Sequence, residues 1–375
     1  MMIAGPTTMT TTTTITAAAD ACPAGVDREP VEVEPVSGPP QVSAWRSYLR
    51  RATGAALFHD PAWSAVVARV FGHQERHLLA RRGERVVGVL PLMEVESRLG
   101  GRLLVSVPYG TYGGILAEDA EATDALARAA IGLVHERRAR VLDLRSAEAV
   151  VPNLERVERY DGFVRDLPAS VDELPAFFPK RARAAARQAR EREHLSVVHD
   201  PQQLRIVWEL YTRSMRRIGS INYPHRFFVE LLRGFGSQAW VSVVWHRKSP
   251  VAGTLSLVYG DTIMPYILGI DERLCCPGAA NLLYYDVMER AIRAGLRRWD
   301  YGRTRKDNPG SAGFKKNQGF QPRTLGYQRY VPLGQTAPEL TPSHRRFRLA
   351  RHIWPHLPLI ITRPLGSWLA RWLPG

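Results

Sequence analysis

The chain has 375 residues, 45% of them hydrophobic, and a formal net charge of +15. That length and apolar content support two domains with buried cores. Three cysteines (Cys22, Cys275 and Cys276) offer neither a disulfide framework nor zinc-ligand spacing, and no apolar run approaches the roughly 20 residues that span a bilayer. A reducing, cytoplasmic setting is expected.

Residues 1–40 are rich in Thr, Pro and Ala, with a low-complexity run from Thr7 to Thr14 and no cationic stretch before an apolar one. They are expected to form a disordered leader, not a signal peptide. A first domain is expected over 41–168. In it Val86 to Met93 reads as a strand after the turn Arg82-Gly83-Glu84, and Leu103 to Val107 as a second strand. Ala122 to Arg138 has helical periodicity, and Val141 to Leu144 reads as the strand behind it.

A second domain is expected over 169–335 and opens on a basic helix at 180–193. Ala239 to Trp245 and Val251 to Tyr259 read as a hairpin, and Thr262 to Leu268 as a third strand. Ala279 to Leu296 is a helix whose apolar stripe includes Leu283, Val287, Met288 and Ala291, and Arg298 to Tyr301 is the strand after it. Residues 336–375 form a basic amphipathic tail.

The two series look like copies. RGERVVGVLPL at 82–92 aligns without gaps on RKSPVAGTLSL at 247–257, sharing Arg82/Arg247, Val86/Val251, Gly88/Gly253, Leu90/Leu255 and Leu92/Leu257. In each, a strand, a helix and an Asp-bearing strand (Asp143, Asp300) follow. Matched order predicts duplication. The fold class is therefore α/β, in tandem halves with mixed sheets. The order resembles the core of the GNAT (acyl-CoA N-acyltransferase-like) fold.

Charge is concentrated in two places. Residues 180–193 carry six basic residues and two Glu, and residues 340–375 carry six Arg and no acid. Anionic partners are expected at both. On a helix, Lys180, Arg183, Arg187 and Arg190 would share one face, suited to a phosphate chain or an RNA backbone, or simply to solvent. In the tail, Leu365, Trp368, Leu369, Trp372 and Leu373 follow helical spacing among arginines, which suits peripheral contact with a membrane surface.

Three further stretches could carry chemistry. Arg273-Leu274-Cys275-Cys276-Pro277-Gly278-Ala279 precedes the helix near Asn281, where backbone N–H groups could hold a pyrophosphate. Arg273, Gly278 and Asn281 are thus the candidate donor-binding residues. Cys276 adds a side chain to that approach and Pro277 removes an N–H, so coenzyme A binding of the usual kind is not expected. The run WDYGRTRKDNPGSAGFKKNQGF at 299–320 combines a strand end with Arg303, Lys315 and Lys316. Three of the five lysines, in a chain with 46 arginines, lie within 306–316. A lysine there could meet a developing oxyanion. The loop VPYGTYGG at 107–114 sets Tyr109, Tyr112 and Gly113 where backbone and aromatic walls could meet a ligand. No Ser-His-Asp order, Walker loop or metal cluster stands out.

Together these stretches resemble the FemAB-related proteins of the Fem/GNAT group, in particular those associated with PEP-CTERM/exosortase and exopolysaccharide systems. The resemblance runs from about Phe58 to Tyr330. It is carried by FHDPAWSAVV at 58–67, VVGVLPL, SVPYGTYGG at 106–114, the basic run, WDYGRT at 299–304 and GFKKNQGF at 313–320. It implies the tandem fold of FemABX proteins and an acceptor amine attacking an activated acyl group. It places Phe314 and Lys315 at the active centre. Tyr109, Tyr112, Gly113, Lys180, Arg183, Arg187, Arg303 and Lys316 would hold the acceptor.

The implied donor is aminoacyl-tRNA or acyl-CoA, with no permanently bound cofactor. The implied acceptor is a phosphorylated or lipid-linked glycan or peptide of the cell envelope. Two alternatives stand beside this reading: an acyl-CoA-dependent N-acetyltransferase, and a non-catalytic module of an export system that binds anionic glycan or nucleic acid.

Overall fold

The computed structural model describes residues 29–274, 276–340 and 347–375. Most of the expected leader, with Cys22, lies outside the described residues, as do Cys275, Arg345 and Arg346. The first series runs β1 (Val31–Pro35), α1 (Pro39–Arg51), α2 (Pro61–Phe71), β2 (Gln74–Glu75), β3 (Leu78–Arg82), β4 (Arg85–Leu90), β5 (Met93–Ser97), β6 (Gly101–Val105), β7 (Leu116–Ala117), α3 (Ala120–Glu136) and β8 (Leu142–Leu144). Then come β9 (Glu155–Arg156), β10 (Tyr160–Asp166), α4 (Leu174–Phe177), α5 (Lys180–Glu191), β11 (Leu195–His199), α6 (Leu204–Arg217) and α7 (His225–Phe235). The second series is β12 (Ala239–His246), β13 (Ser249–Tyr259), β14 (Thr262–Ile270), α8 (Ala279–Arg293) and β15 (Arg298–Arg305). The chain closes with α9 (Pro309–Asn317), β16 (Arg323–Thr324), β17 (Gln328–Tyr330), α10 (Arg348–Ile353) and α11 (Leu359–Ala370).

The leader boundary at residue 40 needs correction. β1 pairs with β3 and α1 starts at Pro39, so the backbone groups of residues 31–35 are satisfied in a sheet.

The repeat is visible in three dimensions. Hairpin β3/β4 corresponds to β12/β13, and parallel β6/β8 around α3 corresponds to parallel β14/β15 around α8. One of the aligned differences changes the strand itself. Pro91 has no N–H to give to a ladder, and the strand breaks there into β4 and β5, which join different sheets. Ser256 keeps β13 continuous, with only a register irregularity between Leu255 and Ser256. The first half therefore holds two small sheets, β1-β3-β4-β7 and β2-β5-β6-β8-β17-β9, and the second holds one of seven strands, β11-β12-β13-β14-β15-β10-β16.

Those orders also correct the expected boundary at residue 168. β10 follows the first series but pairs with β15 in the second sheet. β17 follows the second series but pairs with β8 in the first. Each half thus lends a strand to the other. A shared core reinforces the exchange: Trp63, Phe71 and Tyr109 of the first half pack with Phe227, Val241 and Leu255 of the second.

Close backbone approaches fix some glycines. A Cβ at Gly269 of β14 would lie 2.2 Å from the Tyr211 backbone nitrogen and 2.5 Å from the Leu210 carbonyl carbon of α6. Backbone cannot rotate away as a side chain can. Gly269→Ala is expected to destabilise the protein by about 1–3 kcal/mol or more, read as a lower denaturation midpoint with an unchanged denaturant slope.

Candidate active site between the halves

Two cavities lie where the halves meet. The larger is about 940 Å3. Its first-half wall carries His59, Tyr112, Gly113, Gly114 and Ser146, and its second-half wall carries Tyr259, Met264 and Asp300. The smaller is about 110 Å3 and is lined by Arg145, Arg159, Tyr160, Arg303, Tyr327 and Arg329, with Pro374 and Gly375 at its edge.

Asp300 is the distinctive group. It sits on β15, 2% exposed, and makes no salt bridge among the described residues. Its Oδ1 accepts from Gly302 N–H at 2.7 Å. Burial pushes its carboxyl up to about 7, with the Gly302 N–H and the Lys315 charge opposing. Gly302 can turn its N–H back because it sits at φ +63°, in the register shift between β10 and β15.

Lys315 lies behind that shift, on α9. Its Nζ donates to the carbonyl oxygens of Tyr301 (2.8 Å) and Arg303 (3.4 Å) and lies 5.0 Å from the Phe163 ring centre. Burial pulls its amine down to about 8, with Asp300 opposing. Two of its three donors are therefore committed to backbone, and it lines neither cavity. Phe314 packs on Tyr284 at 5.9 Å between ring centres, and Lys316 is exposed.

The other expected residues divide. Tyr112 and Gly113 line the larger cavity and Arg303 the smaller. Tyr109 is core: its ring stacks on Phe71 at 4.1 Å, and its hydroxyl bonds His73 Nε2 and donates to Ala370 O. Lys180, Arg183 and Arg187 are exposed on α5, whose Ala182, Ala186 and Ala189 are buried. They line neither cavity, and Arg190 pairs with Asp286 at 3.1 Å.

In the expected donor loop, Arg273 is bidentate on Asp271, which Arg213 also holds. Gly278 has φ +78°, and a Cβ there would meet the Ala185 carbonyl oxygen of α5 at 2.4 Å. Asn281 is half-buried in the first turn of α8. The approach to that helix start is thus crossed by an α5 carbonyl, which is unfavourable to a pyrophosphate.

Sequence reasoning did not assign His59, Ser146 or Arg145 to the site. His59 is buried, and its imidazole is pulled down to about 4, which leaves it neutral. Ser146 Oγ is buried without a partner. Arg145 did leave a signal. Asp143-Leu144-Arg145, at and just past the end of β8, matches Asp300-Tyr301-Gly302-Arg303 on β15 once Gly302 is counted as one inserted residue.

Comparison with known proteins bears on this arrangement. Residues 176–316 match the family described as Acetyltransferase (GNAT) domain. That match lies within the second half of the chain. No curated protein matches the chain in sequence. The solved structure of FemX superposes with a TM-score of 0.61 at 15% identity, over 80% of this chain and 97% of FemX. A tandem GNAT protein from the clavulanic acid biosynthesis pathway gives 0.51 at 14% identity, over 80% and 98%. The fold is thus shared along nearly the whole of both relatives and four fifths of this chain.

The crowded loop generates a test. Acetyl-coenzyme A is expected not to bind with micromolar affinity at residues 273–279 in calorimetric titration. Micromolar binding that is lost on replacing Gly278 and Asn281 would overturn that expectation.

Proposed function

We propose that this protein forms amide bonds, passing an acyl or aminoacyl group to an amine of a cell-envelope or exopolysaccharide precursor in the cavity between its halves. The observation that carries this reading is Asp300, a buried carboxyl with one hydrogen bond, held near neutrality and facing the large cavity. A base poised near the working pH is suited to take the proton of an attacking amine. The acceptor nitrogen bonds to the donor's carbonyl carbon. The bond to the donor's ester oxygen or thioester sulfur breaks, the nitrogen's proton passes to Asp300, and the leaving group departs to be protonated. The donor is aminoacyl-tRNA or acyl-CoA, and the crowded 271–278 loop favours the first.

Lys315 is a positioning residue in this scheme. By holding the Tyr301 and Arg303 carbonyls it fixes the turn that presents Gly302 N–H to Asp300. Its charge also keeps the Asp300 carboxyl from rising further.

The rate is expected to climb with pH through about 7 as Asp300 loses its proton. Asp300→Asn is expected to lower kcat by about 100-fold or more and to remove that limb. Lys315→Met is expected to move the limb to higher pH, since a cation that stabilised the carboxylate is gone. Rates measured from pH 5.5 to 9 with an amine acceptor and aminoacyl-tRNA or acyl-CoA check both. An unaltered profile in Asp300→Asn would remove Asp300 from the mechanism.

The tail supports a place at a membrane surface. Thr362, Gly366 and Ala370 of α11 are buried, while Ile360, Ile361, Leu365 and Trp368 are exposed, as are Leu349 and Ile353 of α10. The expected apolar face is thus shifted: Leu369, Trp372 and Leu373 are half-buried. Arg348 and Arg351 flank the exposed face, and each basic residue near anionic lipid contributes on the order of 1 kcal/mol. No helix among the described residues is long and apolar enough to cross a membrane, so the contact is peripheral. The protein is expected to float with phosphatidylglycerol-containing vesicles and to lose flotation in the triple variant Ile360→Ser, Ile361→Ser, Trp368→Ser. Equal flotation of both would exclude this face.

A further inference from the structure

The small cavity holds charge that the acyl-transfer scheme leaves unused. Of its four arginines, Arg145 pairs with Asp143, Arg159 with Glu339 and Arg329 with Glu155. Arg303 forms no ion pair among the described residues. Its Nη1 donates to the Tyr327 hydroxyl at 3.2 Å, and its guanidinium lies 4.6 Å from the Tyr160 ring centre. A guanidinium packed between aromatic rings without a carboxylate has lost hydration that only an anion can replace well.

Arg145 and Arg303 are also repeat-related, one behind β8 and one on β15, so duplication and strand exchange bring matching cations to one cavity. A third donor faces the same place. Tyr109 has φ +63°, and its N–H points to the segment that runs past both arginines.

That segment is Arg371–Gly375. Pro374 O accepts from Tyr109 N–H at 2.8 Å and from Arg145 Nη1 at 3.2 Å, and Gly375 O accepts from Arg145 Nη2 at 2.6 Å. Gly375 also lies against Arg303 Nη2, 3.1 Å from where its Cβ would stand. Pro374 O satisfies its donors as a neutral peptide carbonyl, whereas Gly375, residue 375 of 375, presents a carboxylate, so the strap itself sets an oxyanion on Arg145. The segment's other ties are modest: Ser97 Oγ donates to Trp372 O, and Arg98 stacks on the Trp372 ring at 4.8 Å.

We infer that Tyr109 N–H, Arg145 and Arg303 form a subsite for an oxyanion of the substrate, either a phosphoryl or a carboxylate group, and that Arg371–Gly375 is a strap which this group displaces. Fork-shaped guanidinium groups and a backbone N–H suit either anion, and such a group competes with the strap's own Gly375 carboxylate for them. In assigning the anion to the substrate the inference rests on the acyl-transfer reading, whereas its test reads binding alone.

Full-length protein, Arg303→Met and Trp372→Ala are titrated calorimetrically with pyrophosphate and, separately, with N-acetylglycine. Hydrogen exchange of residues 371–375 is followed with and without saturating probe. Arg303→Met is expected to weaken binding at least tenfold. Trp372→Ala, which loosens the strap, is expected to tighten it severalfold, and the 371–375 amides are expected to exchange faster when probe is bound. Preference for pyrophosphate assigns a phosphoryl group, and preference for N-acetylglycine a carboxylate. Unchanged affinity in Arg303→Met, or no saturable binding of either probe, would overturn the subsite. Exchange of 371–375 that ignores bound probe would overturn the strap.

Discussion

Reciprocal strand exchange is the constraint on which the rest of this structure depends. β10 leaves the first series to pair with β15, and β17 leaves the second to pair with β8. Neither half can complete its sheet without the other, because each would expose an unpaired edge along the strand that carries its aspartate. The halves are therefore held by backbone hydrogen bonds as well as by the shared aromatic core, and the cavities between them are fixed parts of the fold.

The exchange also determines the chemistry of β15. Pairing with β10 buries that strand in the middle of a seven-stranded sheet, and the register shift near Gly302 breaks the ladder at one point. There Lys315 donates from α9 to the carbonyls of Tyr301 and Arg303. The same shift leaves Asp300 with a single N–H donor in a dry place. Burial then acts on both groups in opposite directions, raising the acid to about 7 and lowering the amine to about 8. In the other copy Asp143 has Arg145 for a partner, with no inserted glycine between them. One inserted residue thus separates an aspartate paired with an arginine from one held by a single backbone N–H.

A similar economy governs the basic segments. The most cationic helix, α5, uses its alanines to approach α8 closely and turns its arginines outward, so its charge stripe follows from packing. Of the four arginines that line the small cavity, Arg145 stands out in the sequence through the repeat and Arg303 through its strand end. Charge density along the chain was a poor guide to where charge is buried, because burial follows strand position and long side chains at helix surfaces stay hydrated.

The sequence by itself determined the two series, their hairpins, the helices α3 and α8 and the tandem α/β class. Those are local matters of apolar period and turn residues, written within a dozen positions. Tyr112, Gly113 and Arg303 were legible for the same reason, since they stand at loops and strand ends. Only the tertiary structure decided that Tyr109 is core, that Lys315 serves backbone carbonyls, that Asp300 is dry, and that residues 371–375 cross to Arg145. Each of those depends on partners more than ten positions distant, and for Tyr109 and Ala370 on partners 261 apart. Hydrophobic period says which face of an element turns inward. It does not say which other element will meet it there, and the desolvation that gives Asp300 its chemistry comes from that meeting.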